Sequence, residues 1–400
     1  MLTQKVDIVI VGGGLVGKTF ARLLAGASVS LVLIDDHVAE AKAHDLRAYA
    51  LNKASEKVLR AINAWPPQQE GQVHPFCSMF VWDSEGAGSI QFDAHSIGEV
   101  NLGHIVNQHL VMSALESGAA AQENLRLIRP DTIKSIIRAN DQIILELASG
   151  VRLSTQLLVG ADGTQSAIRA WAGISSTSWS YAQTAIVATV ETERDTQHTA
   201  WQRFLPTGPL AFLPLSEKRC SIVWSADTAV AEELLDVSTE VFEKRLTEAF
   251  EHRLGKVRLL SERAAFPLSV LYANSYVASG LALMGDAAHR VHPLGGQGVN
   301  LGLMDAAYLA ELIRNAPDSI NSWRLLRTYE RSRKSENLVM TYLLDGFKRL
   351  FGNTSPPLVG LRGFGLNAAN QCGGFKRWAT RHACGLASEL PSYEETSDNW

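Results

Sequence analysis

The sequence predicts an α/β fold with a Rossmann-like dinucleotide-binding domain, a second domain built on a mixed sheet, and a helical C-terminal region. Three observations support this prediction. An apolar run leads into glycines and a helix near the N-terminus, strand-like runs separated by turns fill residues 181–275, and residues 322–351 have the apolar spacing of a long helix. A chain of 400 residues is longer than a domain with a single hydrophobic core usually is, which favours two domains with an added helical part.

The N-terminal unit has the order strand, turn, helix and strand. Residues 6–11 are mostly apolar, as expected of a parallel strand that is buried on both faces. Residues 15–25 have helical spacing of apolar side chains, and residues 30–34 form a second buried strand. Asp35 follows about 20 positions after the glycines, where the dinucleotide fingerprint places a carboxylate for a ribose hydroxyl.

The glycines between that strand and that helix match two phosphate-binding patterns. Gly12-x-Gly14-x-x-Gly17 is the dinucleotide fingerprint, whereas Gly12-x-x-x-x-Gly17-Lys18-Thr19 is the P-loop of nucleoside-triphosphate enzymes. This stretch alone leaves both interpretations open. The later chain offers no convincing set of switch or base residues for a triphosphate enzyme. Two downstream motifs favour the dinucleotide interpretation.

The first downstream motif lies at the end of another predicted strand. Residues 155–159 run into Gly160-Ala161-Asp162-Gly163, and a helix opens after them. An isolated Asp-Gly pair is ordinarily a turn. Here the strand before it and the helix after it place Asp162 at the carboxyl end of a sheet, where open α/β sheets bind ligands.

The second downstream motif is the most informative stretch of the chain. Residues 281–284 are a predicted buried strand that ends in Gly285-Asp286, and a glycine-rich loop then enters a helix through Gly298-Val299-Asn300. Glycines let a ligand approach the backbone closely, and helix N-terminal amides attract anions. The stretch therefore predicts a site for an anionic, ring-bearing ligand whose hydroxyl groups bind Asp286.

Further elements are predicted before and between these two motifs, and residues 181–275 differ from the rest in having several strands separated by turns. A small hairpin is predicted near residues 74–93, and a helix is predicted near residues 238–252. Strands are predicted at residues 132–137, 142–147, 185–190, 200–204, 210–214 and 220–224. The last four strands and the helix indicate a second, strand-rich domain with some aromatic side chains facing an apolar pocket.

Composition and charge narrow the class of protein. The chain has 37 basic and 41 acidic residues, a net charge of −4, which argues against a nucleic-acid-binding protein. Its four cysteines are scattered without metal-ligand spacing, so we predict no metal site and a reducing, cytoplasmic setting. We also expect no signal peptide and no membrane span, since no run of about 18 apolar residues occurs.

Together the three motifs, in this order and spacing, resemble those of class A flavoprotein aromatic hydroxylases. The resemblance covers residues 5–385 and implies an FAD-binding domain like that of p-hydroxybenzoate hydroxylase. More narrowly, the chain is similar to the hydroxylases of ubiquinone biosynthesis, which act on polyprenylated phenols or quinols. The segments that carry this narrower resemblance are 102–106, 211–215, 221–225, 266–268 and 292–302.

The resemblance implies a discontinuous arrangement of domains. The FAD-binding domain is expected in residues 1–75, 100–180 and 276–340. The substrate domain is expected in residues 76–99 and 181–275. A helical region follows at residues 341–390, and residues 391–400 form a tail that we expect to be disordered.

The resemblance also implies roles for individual residues. The predicted FAD-binding residues are Gly12, Gly14, Leu15, Val16, Gly17, Asp35, Arg47, Gln108, Asp162, Gly285, Asp286, Gly298, Val299 and Asn300. Among them, Asp35 is expected at the adenosine ribose, and the amides of Val299 and Asn300 at the flavin pyrimidine edge. His292 and Pro293 are expected nearest to the flavin ring, and we predict them as catalytic residues.

The implied reaction is a monooxygenation. Reduced FAD reacts with O₂ to give a flavin C4a-hydroperoxide, and the electron-rich ring takes one oxygen atom while the other leaves as water. The electron donor is NAD(P)H or a reductase. Expected partners are the polyprenylated phenol or quinol, O₂ and other ubiquinone-biosynthesis proteins. The amphipathic C-terminal segment also suggests peripheral contact with the inner membrane.

Two alternatives remain open from the sequence. One is a non-catalytic, flavin-binding subunit of a ubiquinone-biosynthesis complex, which the intact flavin motifs disfavour. The other is a flavoenzyme of the same fold with different chemistry, such as a polyprenyl reductase.

Overall fold

The structure, a computed structural model, describes residues 3–37, 48–66 and 73–387. Within these ranges the strands are β1 (Gln4–Val11), β2 (Leu31–Ile34), β3 (Ala48–Asn52), β4 (Val73–Phe76), β5 (Ser78–Asp83), β6 (Ser89–Asp93), β7 (Gly103–Asn107), β8 (Leu125–Ile128), β9 (Ile133–Ala139), β10 (Gln142–Leu147), β11 (Arg152–Gly160), β12 (Ser176–Thr192), β13 (Thr199–Leu205), β14 (Gly208–Pro214), β15 (Arg219–Asp227), β16 (Val257–Leu259), β17 (Ala264–Ala273), β18 (Val277–Ala278), β19 (Leu281–Leu283) and β20 (His289–Arg290). The helices are α1 (Leu15–Leu23), α2 (Lys53–Ala61), α3 (Gln108–Ala120), α4 (Ala167–Trp171), α5 (Thr228–Asp236), α6 (Thr239–Ala249), α7 (Gln297–Asn315), α8 (Trp323–Phe351), α9 (Pro356–Gln371) and α10 (Gly373–Ala383).

The first sheet contains the strands of the predicted dinucleotide-binding unit. Its main order is β18-β19-β11-β1-β2-β8, and β10 and β9 extend it antiparallel from β11. β1 lies between β11 and β2 and is parallel to both, and the side chains of Ile8, Val9 and Ile10 are fully buried. The predicted parallel strand is confirmed, and burial on both faces explains its apolar sequence.

The second sheet has the order β20-β17-β12-β15-β14-β13-β5-β6, with β16 paired to β12. On one face, Trp201, Phe212 and Trp224 share a core with Phe242 of α6. Because side chains alternate along a strand, the neighbours of these aromatic residues point to the opposite face. That opposite face contributes to the cavity described below.

A small third sheet connects the two. β7 lies at its centre and pairs antiparallel with β3 on one side and β4 on the other. The predicted helix after β7 is α3, which packs beside α1 against the first sheet.

Three local predictions differ from the structure. The helix predicted at 238–252 is α6, which ends at Ala249 because Glu251 and His252 adopt positive φ angles of 54° and 53°. α5 precedes it and was not predicted. β12 has 17 residues rather than the six predicted, because an irregularity between Ser180 and Gln183 breaks the alternating pattern that marks a strand.

The C-terminal region is helical, as predicted. α8 is a single helix of 29 residues that runs through residue 340, where the sequence suggested the end of the FAD-binding domain. The division into domains stays a prediction, and the tail at 391–400 lies outside the described residues. Among the described helices, none combines the length and hydrophobicity needed to cross a bilayer.

Candidate active site

The first glycine loop is held tightly against the second motif. Gly12 has a φ of +109°, and a Cβ added there would lie 2.3 Å from the carbonyl oxygen of Ala161. A Cβ on Gly17 would lie 2.1 Å from the carbonyl oxygen of Gly12. Glycine is therefore required at both positions by the packing of the protein itself.

Gly14 differs from those two glycines because it borders open space. It is the N-cap residue of α1, no described side chain caps the helix there, and no atom lies within 4 Å of an added Cβ. The first-turn amides of α1 thus face a space in which an anionic group can bind. This arrangement fits the pyrophosphate of a dinucleotide.

Asp35 lies beside the same loop. A Cβ on Gly13 would be only 1.9 Å from Oδ2 of Asp35, so the carboxylate at the end of β2 rests directly on the glycine backbone. Gln108, the first residue of α3, has a buried side-chain oxygen without a hydrogen-bond partner, which a ligand N–H or O–H would satisfy. Arg47 lies outside the described residues.

Lys18 and Thr19 have no access to this phosphate site. Lys18 is 5% exposed and its Nζ lies 2.8 Å from Oε2 of Glu116, on α3. Thr19 is fully buried. The P-loop interpretation requires both side chains at a triphosphate and its magnesium ion, so the structure argues against it.

Val16 connects the first glycine loop to the third motif. Its side chain fits between two glycines: a Cβ on Gly285 would lie 3.1 Å from Cγ2 of Val16, and one on Gly302 would lie 2.7 Å from it. Leu15 packs into the core. The close approach of α1 and α7 therefore places the turn at Gly285 beside the first loop.

The Asp162 carboxylate forms its hydrogen bonds within its own loop. One oxygen accepts a hydrogen bond from Oγ of Ser166 at 2.6 Å, and the other accepts one from the amide of Ile168 at 3.1 Å. Arg169, to which the sequence assigned no role, donates to the carbonyl oxygens of Thr164 and Ala287 at 2.7 and 2.8 Å. These bonds hold the second and third motifs together.

Asp286 lies in a crevice of the surface. Its side chain is open to solvent although protein atoms surround it on most sides, and this desolvation raises its pKa against the opposing charges of His289 and Arg290. Its carboxylate accepts no hydrogen bond from the described residues. Asp286 is therefore placed to receive the hydroxyl groups of a ligand in the crevice.

Below that turn lies a buried charged network that the sequence did not reveal. Asp305 of α7 is completely buried, and its Oδ2 lies 2.5 Å from Nε2 of His289 and accepts from the amide of Gly285 at 3.1 Å. Its Oδ1 accepts from Arg333 at 2.9 Å and from Asn337 at 3.1 Å. Despite the desolvation of Asp305, these partners lower its pKa to about 2.

The loop that enters α7 has a backbone that only glycine adopts readily. Gly295 and Gly296 have φ angles of 71° and 63°, and Gly296 is the N-cap of α7 without a side-chain cap among the described residues. Gly298 and Val299, in the first turn of α7, remain partly open. Their position leaves helix amides available to a polar ring edge.

Asn300 anchors this loop through its side chain. Its Oδ1 accepts from the amide of Asn52 at 3.0 Å and from Oγ of Ser55 at 2.7 Å. Its Nδ2 donates to the carbonyl oxygens of Ala50 and Gly296, both at 2.9 Å. The side chain therefore joins α7 to β3 and α2 and is fully used within the protein.

An apolar cavity of about 160 Å³ lies between this loop and the second sheet. Gln202 of β13 and Ser225 of β15 are the two polar side chains among the described residues that line it, and Gln202 forms no side-chain hydrogen bond with any described residue. The remaining lining residues are Ala48, Ala50, Phe76, Met79, Ile105, Ala200, Trp201, Pro209, Ala211, Leu213, Val223, Pro293, Leu294, Gly295 and Gly296.

His292 and Pro293 are adjacent in the chain but differ in position. Pro293 lines the cavity, whereas His292 does not and is 1% exposed. Nδ1 of His292 accepts a hydrogen bond from the amide of Leu294 at 3.2 Å, and the rings of His292 and Tyr181 pack in a T-shaped arrangement with their centroids 5.0 Å apart. Desolvation, aided by the charge of Lys348, lowers the pKa of His292 to about 4, so its imidazole is neutral at pH 7.

Comparison with known proteins shows the family to which the chain belongs. The FAD binding domain family matches residues 5–340 of the chain. The chain is 36% identical to the 3-demethoxyubiquinol 3-hydroxylase of Escherichia coli (strain K12), over 96% of this chain and all of that protein. It is also 36% identical to the ubiquinone hydroxylase UbiL of Rhodospirillum rubrum, over 95% of this chain and 89% of that protein. The mitochondrial ubiquinone biosynthesis monooxygenase COQ6 of Xenopus tropicalis is 32% identical, over 91% of this chain and 90% of that protein.

Solved structures of lower sequence identity share the fold. The p-nitrophenol 4-monooxygenase PnpA from Pseudomonas putida DLL-E4 matches with a TM-score of 0.78 at 17% identity, over 97% of this chain and all of that one. PqsL of P. aeruginosa, in complex with 2-aminobenzoylacetate, matches with a TM-score of 0.76 at 20% identity, over 91% of this chain and all of that one.

The fold, the glycine loops and the family match define an FAD-dependent aromatic hydroxylase. More narrowly, the chain belongs to the family of FAD-binding hydroxylases that includes those of ubiquinone biosynthesis. The family match confirms FAD, the cofactor predicted from the sequence. The alternative of a non-catalytic, flavin-binding subunit is not favoured.

Proposed function

We propose that this chain inserts one oxygen atom of O₂ into the aromatic ring of a polyprenylated phenol or quinol in ubiquinone biosynthesis. One observation carries the proposal: the apolar cavity between the second sheet and the loop that leads into α7. Such a cavity suits an apolar ring with few polar groups. The relatives named for ubiquinone hydroxylation support the substrate class.

In this proposal the predicted residues hold FAD at two places. The backbone of Gly12, Gly14 and Gly17 and the first-turn amides of α1 bind the pyrophosphate, with Asp35 at the adenosine ribose. Arg47 and Gln108 also contact the cofactor.

At the second place, Asp286 binds the ribitol hydroxyls beside Gly285, and Asp162 shapes the neighbouring loop. The amides of Gly298, Val299 and Asn300 face the pyrimidine edge. Helix N-terminal amides at that edge stabilise negative charge on the ring.

The cavity supplies orientation and a dry environment. Gln202 has donor and acceptor groups that bind no other described residue and lies in an apolar wall, so we assign it the hydrogen bond to a ring oxygen of the substrate. Ser225 is the other polar side chain of the same lining. Pro293 also lines the cavity, so we assign it a contact with the aromatic ring of the substrate. His292 lies behind the cavity lining and holds the loop through the amide of Leu294, so we assign it a positioning role.

Bound FAD supplies the activation of O₂ and the transfer of oxygen to the ring. In the overall balance, a ring C–H bond becomes C–OH, and the second oxygen atom leaves as water. Two electrons and two protons are required, and NAD(P)H with one proton, or a reductase, provides them. The described residues that line the cavity include no acid or base, so their contribution is orientation and the exclusion of water.

The substrate class also bears on where the protein works. A polyprenyl tail partitions into the bilayer, so we propose that the chain acts at the surface of the inner membrane, from the cytoplasmic side. We further propose that it acts beside other proteins of ubiquinone biosynthesis, which modify the same insoluble intermediates.

The direct test supplies the FAD-loaded protein with NAD(P)H or a chemical reductant, a prenylated phenol, and O₂ labelled with oxygen-18. We expect a product that has gained one labelled oxygen atom on its ring, measured by mass spectrometry. Consumption of O₂ without a labelled product would refute the proposal. A prenyl chain that has gained two hydrogen atoms would instead identify a polyprenyl reductase.

A further inference from the structure

The last three helices carry large apolar side chains that the rest of the protein leaves exposed. Phe364 and Leu361 of α9 are 73% and 64% exposed, and Trp378 of α10 is 55% exposed. We call the following residues the C-terminal face: Leu343, Phe347 and Leu350 of α8, Leu358, Leu361 and Phe364 of α9, and Phe375 and Trp378 of α10. Isolated exposed apolar residues need no explanation, but a series along three consecutive helices does.

The spacing of these residues places them on one side of each helix. They recur at intervals of three or four positions, which is the repeat of a helix surface. Other residues of the same helices face inward: Leu344 and Phe351 of α8 are buried, and Arg362 of α9 forms a buried ion pair with Asp83 at 2.7 Å. The helices are therefore attached to the protein on one side and expose apolar side chains on another.

The charge of this region is opposite to that of the whole chain. Residues 337–387 contain six basic residues and one acidic residue, although the net charge of the protein is −4. The single acidic residue, Asp345, is paired with Arg349 at 2.7 Å and accepts from Tyr181. Lys376, Arg377 and Arg381 thus add positive charge around the C-terminal face without acidic residues of the same segment beside them. Apolar residues mixed with such charges suit an anionic lipid surface.

The inner side of the same helices leads to the active-site cavity. Leu344 and Phe351 pack in one apolar cluster with Phe204 and Leu294, and Leu294 also lines the cavity. A second opening, of about 340 Å³, lies between the end of α8 and the turn before β14. Pro209 lines both the opening and the cavity.

We propose that the C-terminal face docks on the surface of an anionic bilayer and brings the opening at the end of α8 next to the lipid. The polyprenyl tail then passes from the bilayer along Phe204 and Pro209 while the aromatic ring occupies the cavity. This inference rests on the proposed function for the identity of the tail. The docking itself rests on the exposed apolar residues and the charge.

The test is flotation of the full-length, FAD-loaded protein with vesicles of phosphatidylcholine alone or with phosphatidylglycerol. We expect binding to the anionic vesicles that falls about tenfold when Leu361 and Phe364 are both changed to Ser. We expect a comparable fall for the double variant Lys376→Glu and Arg377→Glu, and for the wild type at high salt.

Matched controls lie elsewhere on the surface. Ile137→Ser removes an apolar side chain that is 56% exposed on β9, and Lys57→Glu with Lys244→Glu reverses two exposed charges on α2 and α6. These controls should float like the wild type. Equal flotation of all variants would overturn the proposal. Equal binding of the wild type to neutral and anionic vesicles would also overturn it. If the variants changed only the oligomeric state, the occupant of the C-terminal face would be a second copy of the chain, which would overturn it as well.

Two activity measurements separate this proposal from the proposed function. With a short-tailed, water-soluble phenol, the C-terminal-face variants should keep wild-type hydroxylation and FAD content. With a long-tailed phenol in anionic vesicles, their rate should fall in step with flotation. Loss of hydroxylation by the wild type on both substrates would refute the proposed function and leave the docking result standing. Full activity of the variants in vesicles would refute the docking.

Discussion

The ammonium group of Lys18 lies 2.8 Å from the carboxylate of Glu116, inside the contact between α1 and α3. Arg129 also pairs with Glu116, and the two cations lower the pKa of that carboxyl group although its partial burial opposes them. The lysine that completes a P-loop pattern in the sequence is thus part of a helix–helix contact. The contact argues against the P-loop interpretation of the glycine loop and leaves the dinucleotide interpretation.

Lys18→Met should therefore reduce stability without affecting the cofactor. We expect a loss of about 1–3 kcal/mol in the free energy of unfolding, below the usual cost of breaking a buried pair, because Arg129 still compensates Glu116. Urea denaturation measures this loss, and flavin absorbance measures the retained FAD. Binding of a nucleoside triphosphate that Lys18→Met abolishes would contradict this assignment.

Gly12 and Gly14 should respond differently to alanine. Gly12→Ala places a methyl group 2.3 Å from a carbonyl oxygen at a positive φ, so we expect a destabilised protein that has lost FAD. Gly14→Ala has space in the protein itself, so we expect a folded protein with weakened FAD binding, because the methyl group enters the pyrophosphate space. Thermal unfolding and FAD titration separate the two effects. Wild-type FAD affinity in Gly14→Ala would place the pyrophosphate elsewhere.

Asp305→Asn should show that the turn at Gly285 depends on a buried charge. Removing the carboxylate leaves Arg333 buried without its main partner, which costs about 3–5 kcal/mol. The folded pKa of Asp305 is about 2, below the unfolded value of about 3.9. Its contribution is therefore complete above about pH 4 and is lost as the pH falls toward 2. Denaturation at several pH values should show the difference between wild type and variant shrinking over that range, and a constant difference would contradict this linkage.

Gln202→Leu should weaken substrate binding and leave the flavin in place. The variant removes one hydrogen bond to a ring oxygen, so we expect KM to rise by up to about tenfold. Ser225→Ala in the same wall is the matched comparison. Steady-state kinetics with a short-tailed phenol give KM, and the flavin spectrum serves as the control. An unchanged KM in Gln202→Leu would mean that the ring oxygens bind elsewhere.

His292→Ala should lower hydroxylation by loosening the loop at Leu294, while FAD remains bound. His292→Asn supplies a side-chain oxygen that can accept from the same amide, so it should recover much of the rate. Because the pKa of His292 is about 4, its ionisation should leave the pH profile of wild-type activity flat above about pH 6. Loss of the bound yellow cofactor in His292→Ala would show a wider structural role. Failure of the Asn variant together with a shifted pH profile would indicate proton transfer.

Local patterns predicted much of the fold. β1, the glycine turn after it and the helix α1 could be predicted because they depend on residues that are close in the chain. Such elements show in the sequence as an apolar run or as a repeat of two or 3.6 residues. The same reasoning failed at β12, where a bulge interrupts the alternation, and at α6, where two residues of positive φ end the helix early. Neither irregularity has a residue type that marks it.

The sequence by itself determined that an α/β protein binds a phosphate-bearing, ring-bearing ligand, because three glycine-containing motifs at strand ends are short-range signals of such binding. The order and spacing of these motifs also carried the resemblance to the flavoprotein hydroxylases. Only the tertiary structure decided which side chains take part. Lys18 pairs with Glu116, Asp305 pairs with Arg333, and Gln202 lines the same cavity as Pro293. These partners lie on separate elements, so no spacing along the chain encodes their contact. The burial of a side chain and the direction in which it points set its pKa and its access to a ligand. Both are fixed only when the sheets and helices have packed.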